Sequence, residues 1–300
     1  MTDSPAITRS TRQTRQSVRT SGGVAVALVA SGGALLASSG AATATDAALW
    51  TAVSMLVVAG VWTYTARYAA ENATRTAQSD THTTEVSPED SGNSPHRYTS
   101  LGLPTAVTLF RAILVAGVGG VGAVSAVMWV ESGTPPVAWA WAAAVGYGVA
   151  AALDSLDGTL ARRLGRVTVL GSRLDTTVDA LGLLLAPLAG VFLGQLPWWY
   201  LSAGAARYVF VAGLWWRTRT GRPTYDLPPR SSRRVLAGIQ MAFVPFALVP
   251  GVADSWVPTL AGVAAGALLL GFARDWLYVS GRLESDSTTR RSRSSRSGES

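Results

Sequence analysis

The chain has 300 residues, of which 48% are apolar and only 14% are charged. Soluble domains carry roughly 25% charged residues, so this composition argues against an ordinary soluble protein. The formal net charge is +7 and every one of the 25 basic residues is Arg. The absence of Cys excludes a thiol nucleophile and a Cys-based metal site. Because the Arg residues flank long apolar runs, we expect them to set membrane topology, and we expect no nucleic-acid partner.

Eight apolar segments approach the length of about 20 residues that a helix needs to cross a bilayer. They cover about 23–43, 47–66, 104–127, 136–156, 174–194, 197–216, 235–251 and 257–279, of which the last three are interrupted or short. We therefore predict an all-α integral membrane protein. A two-helix hydrophobic hairpin over 23–66 is expected to precede a six-helix catalytic transmembrane domain over 101–281.

Polar sequence separates and flanks these two units. An Arg-containing segment occupies 1–22, a polar stretch rich in Ser, Thr and acidic residues occupies 67–100, and a Ser/Arg-rich tail occupies 282–300. The last two have the composition of disordered segments. The first apolar run could also be a cleaved signal peptide, since small residues follow it at 41–44. The second run follows almost at once, which favours a retained hairpin.

Orientation follows from the distribution of Arg between the spans. Arg-rich loops alternate with loops that contain Asp46, Glu131 and Asp254 and no Arg. Cytoplasmic loops collect basic residues, so the Arg-rich side is predicted to be cytoplasmic. We expect a multi-pass protein of the plasma membrane with both termini inside.

Four aspartates lie at the adjoining ends of two consecutive spans. Asp154 and Asp157 close the fourth span, and Asp175 and Asp179 open the fifth. A carboxylate at the bilayer centre costs about 2.5–3.5 kcal/mol on insertion scales, so the group requires a common explanation. Within each pair the spacing places both residues on one helix face. A short connection makes the two helices antiparallel neighbours, so the acidic faces can converge.

Converging carboxylates repel one another unless they bind cations. Oxygen ligands favour Mg²⁺, Mn²⁺ or Ca²⁺ over zinc, and two such ions suit phosphoryl chemistry. Gly158 and Gly171 remove side chains from the same faces, which permits close approach of a nucleotide. Arg162 can bind phosphate oxygens through its guanidinium group.

These residues form a motif that resembles the signature of the CDP-alcohol phosphatidyltransferases. The pattern D-x-x-D-G-x-x-A-R-x8-G-x3-D-x3-D is met in full from Asp154 to Asp179. The segment from Pro104 to Arg111, PTAVTLFR, is similar to the opening that precedes the first core helix in that family. The resemblance covers about 104–280.

The resemblance implies a reaction, its substrates and a set of site residues. A CDP-linked lipid would donate a phosphatidyl-type group to a small alcohol and release CMP, with two divalent cations, Mg²⁺ or Mn²⁺, as cofactors. Asp179 would be the general base on the acceptor hydroxyl, and the protein would be a homodimer. The implied metal ligands are Asp154, Asp157, Asp175 and Asp179, and the implied residues of the CDP pocket are Gly158, Ala161, Arg162 and Gly171.

The acceptor is less well defined by the sequence. Glycerol 3-phosphate is favoured because PTAVTLFR resembles the opening of phosphatidylglycerophosphate synthases, although Ala180 stands where those enzymes usually have Lys. Inositol phosphate, serine or a second lipid are alternatives. Arg207, in the sixth span, could contact a phosphate or pair with one of the aspartates. Arg230, Arg233 and Arg234 are further candidates for phosphate contacts, although topology alone also explains them. Arg111 could contact a substrate phosphate or anchor the end of its helix.

Two other classes of protein use acidic groups within a membrane. A cation or proton carrier would distribute its acidic groups through the depth of the membrane, whereas these lie together at one border. A Mg²⁺-dependent membrane prenyltransferase would carry Asn- and Asp-rich motifs with different spacing. Both remain alternatives to the transferase interpretation.

Overall fold

The computed structural model describes residues 5–72, 100–163, 168–225, 227, 231–251 and 256–283. Within these ranges, side chains at 5–11, 157–163, 231, 233 and 234 are outside the description. Most of the polar stretch predicted over 67–100 and nearly all of the tail predicted over 282–300 also lie outside it.

Eight α-helices account for most of the described chain. They are α1 (Pro5–Ser38), α2 (Ala44–Arg67), α3 (Leu103–Ser132), α4 (Val137–Arg163), α5 (Val169–Phe192), α6 (Leu201–Arg219), α7 (Ser231–Ala247) and α8 (Val257–Val279). Short 3₁₀ helices follow α2 at Ala69–Glu71 and precede α6 at Trp198–Tyr200. The predicted all-α architecture, a hairpin followed by six helices, is confirmed.

Six helices in the described part of the chain are long and apolar enough to cross a membrane: α1 to α5 and α8. The protein is therefore a multi-pass membrane protein. The predicted sixth and seventh spans are helices but do not meet this standard. Helix α6 contains Arg207 and ends in a polar turn, and the apolar part of α7 is limited to Val235–Ala247.

Several helices extend beyond the apolar segments that the sequence delimits. Helix α5 starts at Val169, five residues before the predicted span, because Thr168 caps it: the Thr168 hydroxyl accepts a hydrogen bond from the backbone N–H of Gly171 at 3.0 Å. Helix α4 continues to Arg163, beyond the predicted end at 156. All four motif aspartates therefore lie on continuous helices.

The N-terminal hairpin packs against α3 through polar contacts as well as apolar ones. The indole N–H of Trp50 donates to the carbonyl oxygen of Gly117 at 3.0 Å. The hydroxyl of Ser54 donates to the carbonyl oxygen of Ala116 at 3.2 Å. Gly120 makes this approach possible, since a Cβ there would lie 2.6 Å from the Ser54 Oγ. Small residues at helix contacts are typical of membrane bundles.

The two ends of the polar stretch meet at the start of α3. The side-chain amide of Asn72 donates to the carbonyl oxygen of Ser100 at 3.1 Å and to the hydroxyl of Thr14 at 3.4 Å. The neighbouring Glu71 pairs with Arg173 at 2.8 Å, near the beginning of α5. These contacts connect the hairpin to the end of the bundle where α5 begins.

Helix α3 is the centre of the bundle and packs against α2, α4 and α5. The C-terminal helices are tied together by a buried polar group. Gln240 on α7 accepts a hydrogen bond from the hydroxyl of Tyr200 and donates one to the carbonyl oxygen of Ala264 on α8, at 2.7 Å. Gln240 and Tyr200 are both buried.

Candidate active site

Three of the four motif aspartates come together at one end of the bundle. Asp154, Asp175 and Asp179 each offer a carboxylate oxygen, and these oxygens all lie within 4.8 Å of one another. Asp154 lies toward the end of α4, whereas Asp175 and Asp179 lie in the first part of α5. The spacing of four residues between the latter two places them on one helix face. The predicted convergence of the two acidic faces is therefore present for these three residues.

Arg111 on α3 binds all three carboxylates. Its Nη1 lies 2.8 Å from Oδ1 of Asp154 and 2.8 Å from Oδ1 of Asp175. Its Nη2 lies 2.6 Å from Oδ1 of Asp179. Its Nε donates to the carbonyl oxygen of Ala150 at 3.1 Å. The side chain is only 3% exposed, so the guanidinium group is a buried cation at the centre of the cluster.

The charges in this cluster do not balance. One guanidinium faces three carboxylates, which leaves an excess of two negative charges if all three are ionised. Like charges at this separation repel strongly where water is partly excluded. Carboxylate oxygens are the ligands that hard divalent cations prefer, and the three are close enough to share an ion. The donor set therefore fits the metal that the motif predicts.

A buried tyrosine lies beside the cluster. Tyr147 on α4 lines a cavity of about 10 Å³ together with Arg111, Asp179 and Gly182. Its hydroxyl is buried and has no hydrogen-bond partner among the described residues. A cavity of this size holds about one water molecule. The sequence analysis did not select Tyr147, although its position seven residues before Asp154 places both on one face of α4.

Gly171 lies in the first turn of α5, where space is restricted. A Cβ on Gly171 would lie 3.0 Å from the Thr168 Oγ1 and 3.4 Å from the Thr105 Oγ1. Only a residue without a side chain leaves this surface unchanged. This restricted surface lies close to the beginning of the helix that carries Asp175 and Asp179.

For several predicted site residues, the structure describes the helical backbone but not the side chain. Asp157, Gly158, Ala161 and Arg162 continue α4 beyond Asp154 as helical backbone only. Arg233 and Arg234 are likewise described only as helical backbone, in α7. Arg230 lies outside the described residues.

Arg207 is on α6 with an exposed side chain. It forms no ion pair with Asp154, Asp175 or Asp179, whose described cationic partner is Arg111. The sequence leaves two interpretations of Arg207, a phosphate contact or an ion pair with one of the aspartates. In the described part of the chain, the ion pair with these three aspartates is absent.

The chain belongs to the CDP-alcohol phosphatidyltransferase family. The family model matches residues 101–273, which run from the start of α3 into α8 and include every motif residue. No curated protein and no solved structure matches the chain. Helices α1 and α2 precede the matched region, so the hairpin is an addition to the family domain.

Proposed function

We propose that the protein transfers a phosphatidyl-type group from a CDP-linked lipid to a small alcohol, with release of CMP. The observation that carries this proposal is the convergence of Asp154, Asp175 and Asp179 at one end of a helical bundle that belongs to the family. Their position at a single border also favours a transferase over a cation carrier, whose acidic groups would be distributed along the membrane depth.

The proposed cofactors are two divalent cations, Mg²⁺ or Mn²⁺. Asp154, Asp175 and Asp179 would hold them, together with Asp157 from the next turn of α4. When bound, such ions neutralise the pyrophosphate and stabilise the charge that develops on the leaving group.

The chain's own residues would orient the substrates and move one proton. Asp179 is proposed to accept the proton of the acceptor hydroxyl as that oxygen attacks the lipid-linked phosphorus. The bond from this phosphorus to the bridging oxygen breaks, and CMP departs with the bonding electrons. Arg162 is proposed to bind phosphate oxygens of the donor, and Gly158, Ala161 and Gly171 to line the pocket for CDP.

Glycerol 3-phosphate is the proposed acceptor. Arg207 has an exposed side chain and forms no ion pair with Asp154, Asp175 or Asp179 in the described part of the chain. This supports a role in binding an anionic acceptor, because an exposed guanidinium group can bind phosphate oxygens. Arg230, Arg233 and Arg234 are proposed as further contacts for its phosphate. The enzyme is proposed to be a homodimer in the plasma membrane, with the aspartate end facing the cytoplasm.

The direct test is release of CMP from a CDP-linked lipid by the purified protein with Mg²⁺ or Mn²⁺. Glycerol 3-phosphate, inositol phosphate and serine would be supplied separately as acceptors. We expect CMP release that requires a divalent cation and is fastest with glycerol 3-phosphate. Cation-independent release would contradict the metal assignment, and preference for another acceptor would replace only the proposed substrate.

A further inference from the structure

The guanidinium group of Arg111 is bound within the protein and is not exposed for contact with a substrate. All three of its guanidinium nitrogens are engaged: Nη1 with Asp154 and Asp175, Nη2 with Asp179 and Nε with Ala150. The side chain is also almost completely buried. Arginine presents its N–H donors in a rigid planar fork, so one guanidinium can hold several carboxylates in fixed positions.

We propose that Arg111 is a resident counter-ion that holds the aspartates together before metal binds and competes with the metal for their oxygens. This inference rests on the proposed metal site. The competition concerns the Oδ1 atoms of all three aspartates: those of Asp154 and Asp175 lie 2.8 Å from Nη1, and that of Asp179 lies 2.6 Å from Nη2. The Nε of the same guanidinium donates to the carbonyl oxygen of Ala150 at 3.1 Å, so Arg111 also binds the backbone of α4.

Two measurable properties follow from this arrangement. Without metal, loss of Arg111 would leave three neighbouring carboxylates with no described cation, and breaking a buried ion pair from one side is strongly destabilising. With metal, the same loss would remove a competing positive charge, so the ion would bind more tightly. Arg111 is thus a positioning residue that stabilises the metal-free protein and weakens metal binding.

The experiment compares the full-length purified protein with Arg111→Gln and Arg111→Lys. Mn²⁺ binding would be measured by the spectroscopic signal of free Mn²⁺, and thermal unfolding would be followed with chelator and with saturating Mn²⁺. Arg173→Gln is the matched control. It makes the same change of charge near the start of α5, but its described ion pair is with Glu71.

We expect Arg111→Gln to lower the unfolding temperature by several degrees in chelator. We also expect it to lower the Kd for Mn²⁺ by about tenfold, because a positive charge that repels the ion has been removed. Saturating Mn²⁺ should restore most of the lost stability. Arg111→Lys should give values between those of wild type and Arg111→Gln, because Lys keeps the charge but not the planar fork. Arg173→Gln should leave the Kd for Mn²⁺ near wild type.

Unchanged or weaker Mn²⁺ binding in Arg111→Gln would overturn the proposal, since a purely structural or substrate-binding Arg predicts one of these outcomes. If that variant cannot be purified in chelator, the double variant Arg111→Gln/Asp154→Asn tests the same point. Removal of one carboxylate should recover folded protein if charge repulsion is the cause, and failure to recover it counts against the counter-ion. Absence of Mn²⁺ binding to wild type would instead reject the proposed metal site.

Discussion

The Nε of Arg111 donates a hydrogen bond to the carbonyl oxygen of Ala150, 3.1 Å away. Asp154 lies one helical turn beyond Ala150 on α4, so the same guanidinium binds the backbone and a side chain of one helix. Its remaining contacts extend to Asp175 and Asp179 on α5. A single residue of α3 therefore bridges the two helices that carry the motif.

Removal of a carboxylate from the cluster should abolish activity. We expect Asp154→Asn and Asp175→Asn each to reduce CMP release by about 10²-fold or more, the effect of losing a charge-stabilising group in other active sites. Asn keeps the shape of the side chain but not its charge. Glu131→Gln, at the exposed end of α3, is the matched control and should retain activity. Near-normal turnover in either Asp variant would exclude that carboxylate from the reaction.

Arg207 should affect acceptor binding more than protein stability. A charge-assisted hydrogen bond contributes about 1.5–3 kcal/mol, so Arg207→Gln should raise the KM for a phosphate-bearing acceptor by about tenfold or more. Steady-state kinetics with varied acceptor would measure this change. Arg219→Gln on the same helix serves as the control, because Arg219 stacks on Trp215 at 4.9 Å. An unchanged KM combined with poor yield of Arg207→Gln would indicate a structural role.

The contact between the hairpin and α3 should depend on Gly120. A Cβ at this position would lie 2.6 Å from the Ser54 Oγ and 2.9 Å from the Trp50 carbonyl oxygen. We expect Gly120→Ala to lower the unfolding temperature, because backbone cannot move aside cheaply. Gly60→Ala on α2 is the control, since a Cβ there meets nothing within 4 Å and Ala favours a helix. Equal stability of both variants would mean that the hairpin does not depend on this contact.

The buried polar link between α7 and its neighbours should be sensitive to loss of one partner. Gln240→Leu would leave the buried Tyr200 hydroxyl without its partner, which costs about 1–3 kcal/mol. Thermal unfolding in detergent would detect the loss. The double variant Gln240→Leu/Tyr200→Phe should recover part of it, because both polar groups are then removed. Additive losses in the double variant would show that the two side chains are not coupled.

The part of the polar stretch between Asn72 and Ser100 should be dispensable for folding. The Asn72 amide binds the Ser100 carbonyl at 3.1 Å, so the chain on either side of 73–99 is already joined. We expect replacement of 73–99 by a few Gly and Ser residues to leave the unfolding temperature near wild type, since the cost of loop closure varies slowly with length. Asn72→Ala in the shortened chain should then be destabilising. Failure of the shortened chain to fold would assign a structural role to the replaced residues.

Much of the architecture could be predicted because hydrophobicity and helical spacing are local properties. The apolar runs locate the helices, and the spacing from Asp175 to Asp179 predicts their shared face. The start of α5 was placed too late because its first turn is set by the Thr168 cap and not by apolar content. Local features therefore predicted the helices better than their ends.

The contacts of Arg111 could not be predicted from spacing. Arg111 is 43 positions before Asp154 and 64 before Asp175, and only the packing of α3 against both helices brings them together. Tyr147 shows the same limit, since its hydroxyl, which has no hydrogen-bond partner among the described residues, is buried only where α5 approaches at Gly182. Tertiary packing, which no single segment encodes, determines these parts of the site.

The order of residues along the chain has a consequence for biosynthesis. Membrane proteins are made from the N-terminus, and early segments are in place before later ones. Arg111 therefore enters the bilayer with α3 before Asp154, Asp175 and Asp179 are synthesised. When α4 and α5 then pack against α3, each carboxylate meets a cation that is already in place, which lowers the electrostatic cost of bringing the three together. A rearranged gene that moved α3 behind α5 would reverse this order and bring the three carboxylates together before their counter-ion is made.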